Sequence, residues 1–162
     1  MNRHLPLLLS AFALTVGPVM AAPPAPSALS KDVSPRHFAA GSVQRVLREK
    51  IMGRDPDGRF RGNKPVTRYE LAVALDRFVR YVEATRKPLH SELVQPKVSV
   101  PLKASAAQQK ALHHLVSYGF LPPKSPLLTK DGQAPVTASE LSAALASVTI
   151  RLSDRAEAPR KN

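Results

Sequence analysis

The sequence contains no cysteine and no tryptophan, and it has few acidic and few aromatic residues. Without cysteine, disulfide scaffolds, thiolate zinc sites, iron–sulfur clusters and cysteine nucleophiles are all excluded. Since aromatic residues make up only 5% of the chain, a core must come mainly from leucine, valine and alanine. Only 12 acidic residues balance 24 lysines and arginines, so the formal net charge is +12. Such an excess favours a polyanionic partner: nucleic acid, an acidic wall polymer or an anionic membrane surface.

The N-terminus has the three-part pattern of a secretory signal peptide. Arg3 precedes an apolar run at residues 5–16, and Gly17 and Pro18 end that run. We expect cleavage after Ala21 and therefore predict an exported protein, in the cell wall, the periplasm or on the cell surface. A membrane anchor is the alternative, but a run of about a dozen residues is shorter than the roughly 20 that span a bilayer. We therefore predict no transmembrane segment in the mature chain.

Composition divides the mature chain into two halves. A proline- and alanine-rich linker at residues 22–30 precedes a first repeat at residues 31–84. A connector with several prolines at residues 85–103 then precedes a degenerate second repeat at residues 104–152. Residues 153–162 form a charged tail that we expect to be frayed.

Each half contains two amphipathic segments. The apolar spacing predicts helices over about residues 39–50 and 67–84, a third after Ser105 and a fourth after Thr137. We therefore predict an all-α fold of two helix–loop–helix repeats packed as a small helical bundle.

Capping signals mark where the second helix of each half begins. Thr67 with Glu70, and Thr137 with Glu140, have the T-x-x-E spacing of a capping box. In that arrangement the hydroxyl and the carboxylate each accept a hydrogen bond from an otherwise unpaired backbone N–H. We assign these four residues structural capping roles.

The two halves align with each other. Residues 65–75 match residues 135–145 at an offset of 70, with seven of the 11 positions identical. Upstream, Val43, Val46 and Leu47 correspond at an offset of 69 to the apolar residues Leu112, Leu115 and Val116. An internal repeat with a one-residue difference in loop length is therefore predicted.

The first repeat resembles a known family. Residues 32–39, Asp-Val-Ser-Pro-Arg-His-Phe-Ala, resemble the D-V-P-x-x-H-W-A opening of an S-layer homology repeat. Residues 51–53, 55–61 and 66–72 resemble the G-I-I-x-G, Y-P-D-G-T-F-R and I-T-R-A-E-x-A segments of that family, in the same order. The resemblance is close over about residues 31–82 and degenerate over the second half.

This resemblance implies an extracellular module that binds bacterial cell-wall glycan without a covalent bond. Its ligand would be a secondary wall polysaccharide, often bearing acidic pyruvate ketals, or peptidoglycan. The ligand-binding residues carried over are Arg68, Asp32 and Phe38. Arg68 would lie in the first turn of a helix, where the free N–H groups favour an anion, and a guanidinium can hold a carboxylate through two parallel hydrogen bonds. The alternatives are a solvated surface charge for Arg68, a core position for Phe38, and a helix cap or loop closure for Asp32.

Three departures from the family pattern affect this interpretation. Lys50 stands where the family usually has glycine. The first helix must therefore end without glycine, the residue that most easily adopts the left-handed conformation at a helix C-terminus. Ala138 replaces the arginine in the second repeat, which therefore looks like a packing partner and not a second binding site. Proteins of this family often have three repeats around a pseudo-threefold axis, so two repeats imply either a reduced unit or a homo-oligomer.

Other functions have weaker support in the sequence. The Asp55–Gly58 turn resembles the start of a calcium loop, but Arg59 and Val66 stand where that loop needs acidic ligands. No nucleophile elbow, zinc-protease motif or phosphate loop is present, so we predict no enzyme activity, no metal and no cofactor. The open alternatives are a structural envelope assembly protein, or a secreted polycation that binds nucleic acid or anionic lipid. Since charges of the two signs are interspersed and Phe38, Phe60 and Phe78 are expected to be used in packing and not in base stacking, nucleic acid is not expected.

Overall fold

The structure, a computed structural model, describes residues 30–85, 94, 98–101 and 103–157. Over these ranges the regular elements are helices, which confirms the predicted all-α class. They are α1 (Ala40–Arg48), α2 (Arg68–Thr85), α3 (Ala106–Ser117), α4 (Pro126–Thr129) and α5 (Ala138–Glu157). None of these helices is long and apolar enough to cross a membrane. The predicted signal peptide, residues 22–29 of the predicted linker and most of the predicted connector lie outside the described residues.

Reciprocal side-chain bonds begin three of the helices. At α2 the hydroxyl of Thr67 accepts from the backbone N–H of Glu70 at 3.2 Å, and the Glu70 carboxylate accepts from the N–H of Thr67 at 2.9 Å. The same arrangement is present at α5 and α3, in the pairs Thr137 with Glu140 and Ser105 with Gln108. Each pair satisfies two backbone donors that the helix itself leaves unpaired.

The first helix of each repeat ends in the same way. Lys50 after α1 and Gly119 after α3 both have left-handed backbone geometry, with φ of 56° and 73°. The following residue donates its N–H to a carbonyl five positions back, at 2.9 Å for Ile51 to Val46 and 2.7 Å for Phe120 to Leu115. This 6→1 bond is the Schellman closure. Lysine therefore occupies the left-handed position that glycine occupies in the second repeat.

The core forms around α2. This helix packs mainly against α3 and also contacts α4 and α5. Its Leu71, Leu75 and Val79 are buried, and they join a cluster to which α3 contributes Leu112, Leu115 and Val116. Helix α3 lies in the segment predicted as the second repeat, so the two predicted repeats share one core.

A buried polar group lies within the α2–α3 contact. Asp76 Oδ1 lies 2.5 Å from His114 Nδ1, and Asp76 Oδ2 accepts from Arg80 Nε at 3.0 Å. Burial alone would raise the pKa of Asp76, but hydrogen bonds from His114 and Arg80 outweigh it and hold that pKa below its ordinary value. The carboxylate is therefore compensated by its partners, as a buried charge requires.

A short backbone seam joins the loop of the second repeat to the start of α2. Thr67 and Pro135 form an isolated antiparallel bridge, and the N–H of Val136 donates to the carbonyl of Val66 at 2.9 Å. Gly132 lies so close beneath the Tyr69 ring that a Cβ there would collide with it. The Asp-Gly turn of the second repeat is therefore a point of close approach between the repeats.

Two boundaries differ from those predicted. Helix α5 continues to Glu157, five residues into the segment predicted to be a frayed tail, because Arg155 bonds the carbonyl of Tyr118 and lies over the Phe120 ring. Ser30 belongs to the folded domain and not to the linker, since it is buried and bonded to Asp32. The short helix α4 was not predicted, because its four residues are too few to show a period.

Candidate ligand-binding site

Asp32 fastens the opening of the first repeat to the loop between α1 and α2. Its Oδ1 accepts from the hydroxyl of Ser30 at 2.6 Å and from the N–H of Phe60 at 2.8 Å, and its Oδ2 accepts from the N–H of Arg61 at 2.7 Å. The Ser30 bond above all, and then these backbone bonds, hold the pKa of Asp32 well below its usual range. Of the two structural alternatives for Asp32, the observed contacts are those of loop closure.

An open cleft of about 1050 Å³ lies between residues 32–39 and the loop residues 55–64. Asp32 and Phe38, two of the three predicted ligand-binding residues, line this cleft. Arg68, the third, is not among its lining residues. The structure therefore brings together two of the three and separates them from the arginine.

Phe38 is the most exposed aromatic side chain that the described residues contain. It is 94% exposed, so the alternative of a core position for Phe38 is wrong. Its ring lies beside that of His37, with 4.5 Å between the ring centroids and 34° between the planes. Helix α1 begins only at Ala40, so Phe38 precedes the helix and does not lie on its apolar face. An apolar ring is thus presented to solvent at the edge of the cleft.

Basic side chains also line the cleft. Arg61 has left-handed backbone geometry, with φ of 52°, and its guanidinium is held by Asp55 at 2.5 Å and Asp57 at 2.7 Å. Arg59 lies 3.9 Å from Asp57 and keeps 58% of its side chain exposed. Lys64 lies 3.4 Å from Glu70 and is 55% exposed. Arg59 and Lys64 are therefore only weakly held and remain accessible to an anion.

Arg68 lies in the seam between the repeats. Its side chain is 8% exposed, and its guanidinium donates to the Glu140 carboxylate from Nε and from Nη2, at 3.0 Å each. Nη1 donates to the carbonyl of Asp131 at 3.0 Å. The parallel pair of bonds that the sequence suggested for a ligand carboxylate is made with a carboxylate of the protein itself. This geometry is that of a residue holding the repeats together.

Glu140 has two structural roles where the sequence predicted one. Besides capping α5, it accepts from Arg68 and, at 2.8 Å, from Lys130. These bonds, that from Arg68 first, lower the pKa of Glu140 to about 2.

Sequence reasoning did not identify Arg59 and Lys64 as site residues. Both lie in the loop between the helices, where a basic residue is usually a solvated charge. Only the folded structure, in which Asp32 bonds this loop, places Arg59 and Lys64 in the same cleft as Phe38.

Comparison with known protein families agrees with the resemblance in the first repeat. Residues 31–72 match the family model of the S-layer homology domain, which confirms the prediction of an S-layer homology repeat there. The matched segment contains the cleft and the start of α2. Neither the curated proteins nor the solved structures gave a significant match. A domain of this family associates its protein with the cell wall or the cell surface.

Proposed function

From the S-layer homology domain matched at residues 31–72, we propose that this protein is an exported, non-catalytic wall-binding protein. Its ligand is an anionic cell-wall glycan, either a secondary wall polysaccharide or peptidoglycan with its attached polymers. The binding site is the cleft between residues 32–39 and 55–64.

The observation that carries this proposal is an exposed Phe38 ring that lines the same cleft as accessible cations. An aromatic ring is a large apolar surface, against which the C–H groups on one face of a sugar can pack. A ring that is 94% exposed adds almost nothing to the core, so a contact outside the domain explains it better than core packing does.

The cations of the cleft supply the preference for an acidic glycan. Arg59 can grip a carboxylate or phosphate through parallel hydrogen bonds, and Lys64 adds a mobile point charge. Both keep more than half of their side chains exposed. Since these charges are solvated, the affinity should fall as the salt concentration rises.

Arg68 has a structural role in this proposal and no ligand contact. Releasing its guanidinium for a ligand would leave the Glu140 carboxylate without its principal partner in a buried setting, which is costly. Asp32 likewise acts through the loop, because its oxygens are occupied by Ser30, Phe60 and Arg61.

Co-sedimentation of the mature chain with purified sacculi tests the proposal. We expect Phe38→Ala and the double variant Arg59→Gln/Lys64→Gln each to weaken sedimentation at least tenfold, by roughly 1.4 kcal/mol or more. Lys103→Gln/Lys110→Gln is the matched control for the double variant, because it also removes two exposed positive charges and neither residue lines the cleft. Its sedimentation should equal that of the unmodified chain.

Sacculi extracted with acid separate the two ligand classes. Loss of sedimentation after extraction would identify the secondary polymer, and retention would identify peptidoglycan. If the chain sediments with neither preparation, the proposed function is wrong. If it instead binds DNA or anionic vesicles with a steep salt dependence, the polycation alternative is correct.

A further inference from the structure

The two repeats place equivalent residues in different surroundings. At the offset of 70, Leu71, Leu75 and Val79 of α2 correspond to Leu141, Leu145 and Thr149 of α5. The matching capping boxes at the starts of these helices support the alignment structurally. Helices α2 and α5 are therefore the same element of two successive repeats.

A face of α2 that is buried in the core is uncovered on α5. Leu71, Leu75 and Val79 are 7%, 3% and 0% exposed, and they lie in the core cluster that α2 shares with α3. Their counterparts Leu141 and Leu145 are 36% and 44% exposed. Inside the chain, the first helix of the second repeat covers the second helix of the first repeat, and no further repeat follows α5 among the described residues.

Helix α1 is the counterpart of α3 and also lacks the corresponding contact. On α3, Leu112, Leu115 and Val116 are at most 1% exposed, because they pack in the core. The equivalent residues of α1 are less completely covered, with Val46 and Leu47 only half-buried. The equivalence of α1 and α3 is supported by their identical Schellman closures.

We propose that α1 of one molecule packs on the Leu141–Leu145 face of α5 in a second copy of this chain. The contact repeats, between chains, the packing of α3 on α2 within each chain. Every molecule has both faces, so the contact is head-to-tail, and the assembly is a ring if the rotation closes or a filament if it does not. A second copy is the chosen occupant because the chain already contains both halves of this interface.

Differences between the equivalent positions make the contact between chains weaker than the internal one. The buried pair Asp76 and His114 corresponds to Ala146 on α5 and Arg45 on α1, so no buried ion pair forms there. Val79 corresponds to Thr149, which removes apolar area. The association should therefore depend on protein concentration, with monomer present on dilution.

Sedimentation velocity of the mature chain over a wide concentration range tests this proposal. We expect oligomers to accumulate with concentration, and Leu145→Asp to weaken the association at least about tenfold. Ile150→Asp is the matched control: Ile150 is 61% exposed on α5 but points away from the Leu141–Leu145 stripe on a helix. It should associate like the unmodified chain.

A mixing experiment distinguishes head-to-tail association from a symmetric dimer. Leu47→Asp removes the α1 face and Leu145→Asp removes the α5 face, so each variant alone should remain monomeric. In an equal mixture, the intact α1 face of Leu145→Asp can pack on the intact α5 face of Leu47→Asp. The mixture should therefore form a heterodimer that does not grow further, because both remaining faces are disrupted. Circular dichroism of each variant checks that it is folded, and Val46→Ser replaces Leu47→Asp if that variant unfolds.

Three results would overturn the proposal. They are a monomeric chain at every concentration, an association unchanged by Leu145→Asp, and a mixture of the two face variants that stays monomeric. Wall binding is not needed for any of these readouts, so the proposed function and this inference fail independently.

Discussion

Replacing Lys50 by glycine should stabilise the protein, because Lys50 carries a backbone conformation that suits glycine. Its φ is 56°, and it closes α1 as Gly119 closes α3. The Lys50 side chain has no hydrogen bond or ion pair within the part of the chain that the structure describes. The substitution therefore relieves the strain of the left-handed backbone without removing a side-chain hydrogen bond or ion pair.

The size of the effect follows from two opposing terms. A residue with a Cβ in the left-handed region costs about 1–2 kcal/mol. Glycine loses more backbone entropy on folding, which costs about 0.5–1 kcal/mol. The net gain for Lys50→Gly is about 0.5–1 kcal/mol, which for a domain of this size raises the melting temperature by about 2–4 °C.

Thermal unfolding followed by circular dichroism measures this change. Lys50→Ala is the control, because it removes the same side chain but keeps the Cβ, and it should leave the melting temperature near that of the unmodified chain. The reverse change, Gly119→Ala, should lower it, since its Cβ would lie 3.3 Å from Val94 Cγ2 in addition to the left-handed backbone. Equal stabilisation by Lys50→Ala and Lys50→Gly would refute the backbone explanation.

Two further predictions concern the Arg68–Glu140 pair. Arg68→Ala should lower the melting temperature by roughly 10 °C, because it leaves the buried Glu140 carboxylate with only Lys130 as a cationic partner. An unchanged melting temperature would instead support the surface role that the sequence suggested for Arg68. Glu140 has a pKa of about 2 against an ordinary 4.5, and a lowered folded-state pKa adds stability that is present above the unfolded value and lost below it. The melting temperature should therefore fall as the pH drops from about 4.5 towards 2, and Glu140→Gln should make this decline shallower.

The helices and their ends were predictable because their signals are local. A capping box needs only two residues three positions apart, and the apolar stripes of α2 and α5 repeat within a single helix. The alignment of the two repeats also carried over to the structure, down to the same closing hydrogen bonds after α1 and α3. By contrast, Arg155 extends α5 by bonding the carbonyl of Tyr118, a contact that no local pattern records.

The roles of Phe38 and Arg68 were not predictable in the same way. Each residue type is compatible with a core position, a surface position or a ligand contact, and only its neighbours decide. Phe38 precedes α1 and projects to solvent, while Arg68 meets Glu140, 72 positions away in the chain. The family pattern marks both positions but does not say what they contact.

The sequence by itself determined the all-α class, the two repeats, the capping residues and the resemblance of about residues 31–82 to a wall-associated domain. These depend on spacing along the chain, which a sequence records directly. Only the tertiary structure decided that Arg68 is used in the seam and that Arg59 and Lys64 line the same cleft as an exposed Phe38. It also decided that α5 leaves exposed the face that is buried on α2. The physical reason is that burial and charge pairing arise between residues brought together by folding, and the same side chain serves a ligand or the core according to what surrounds it.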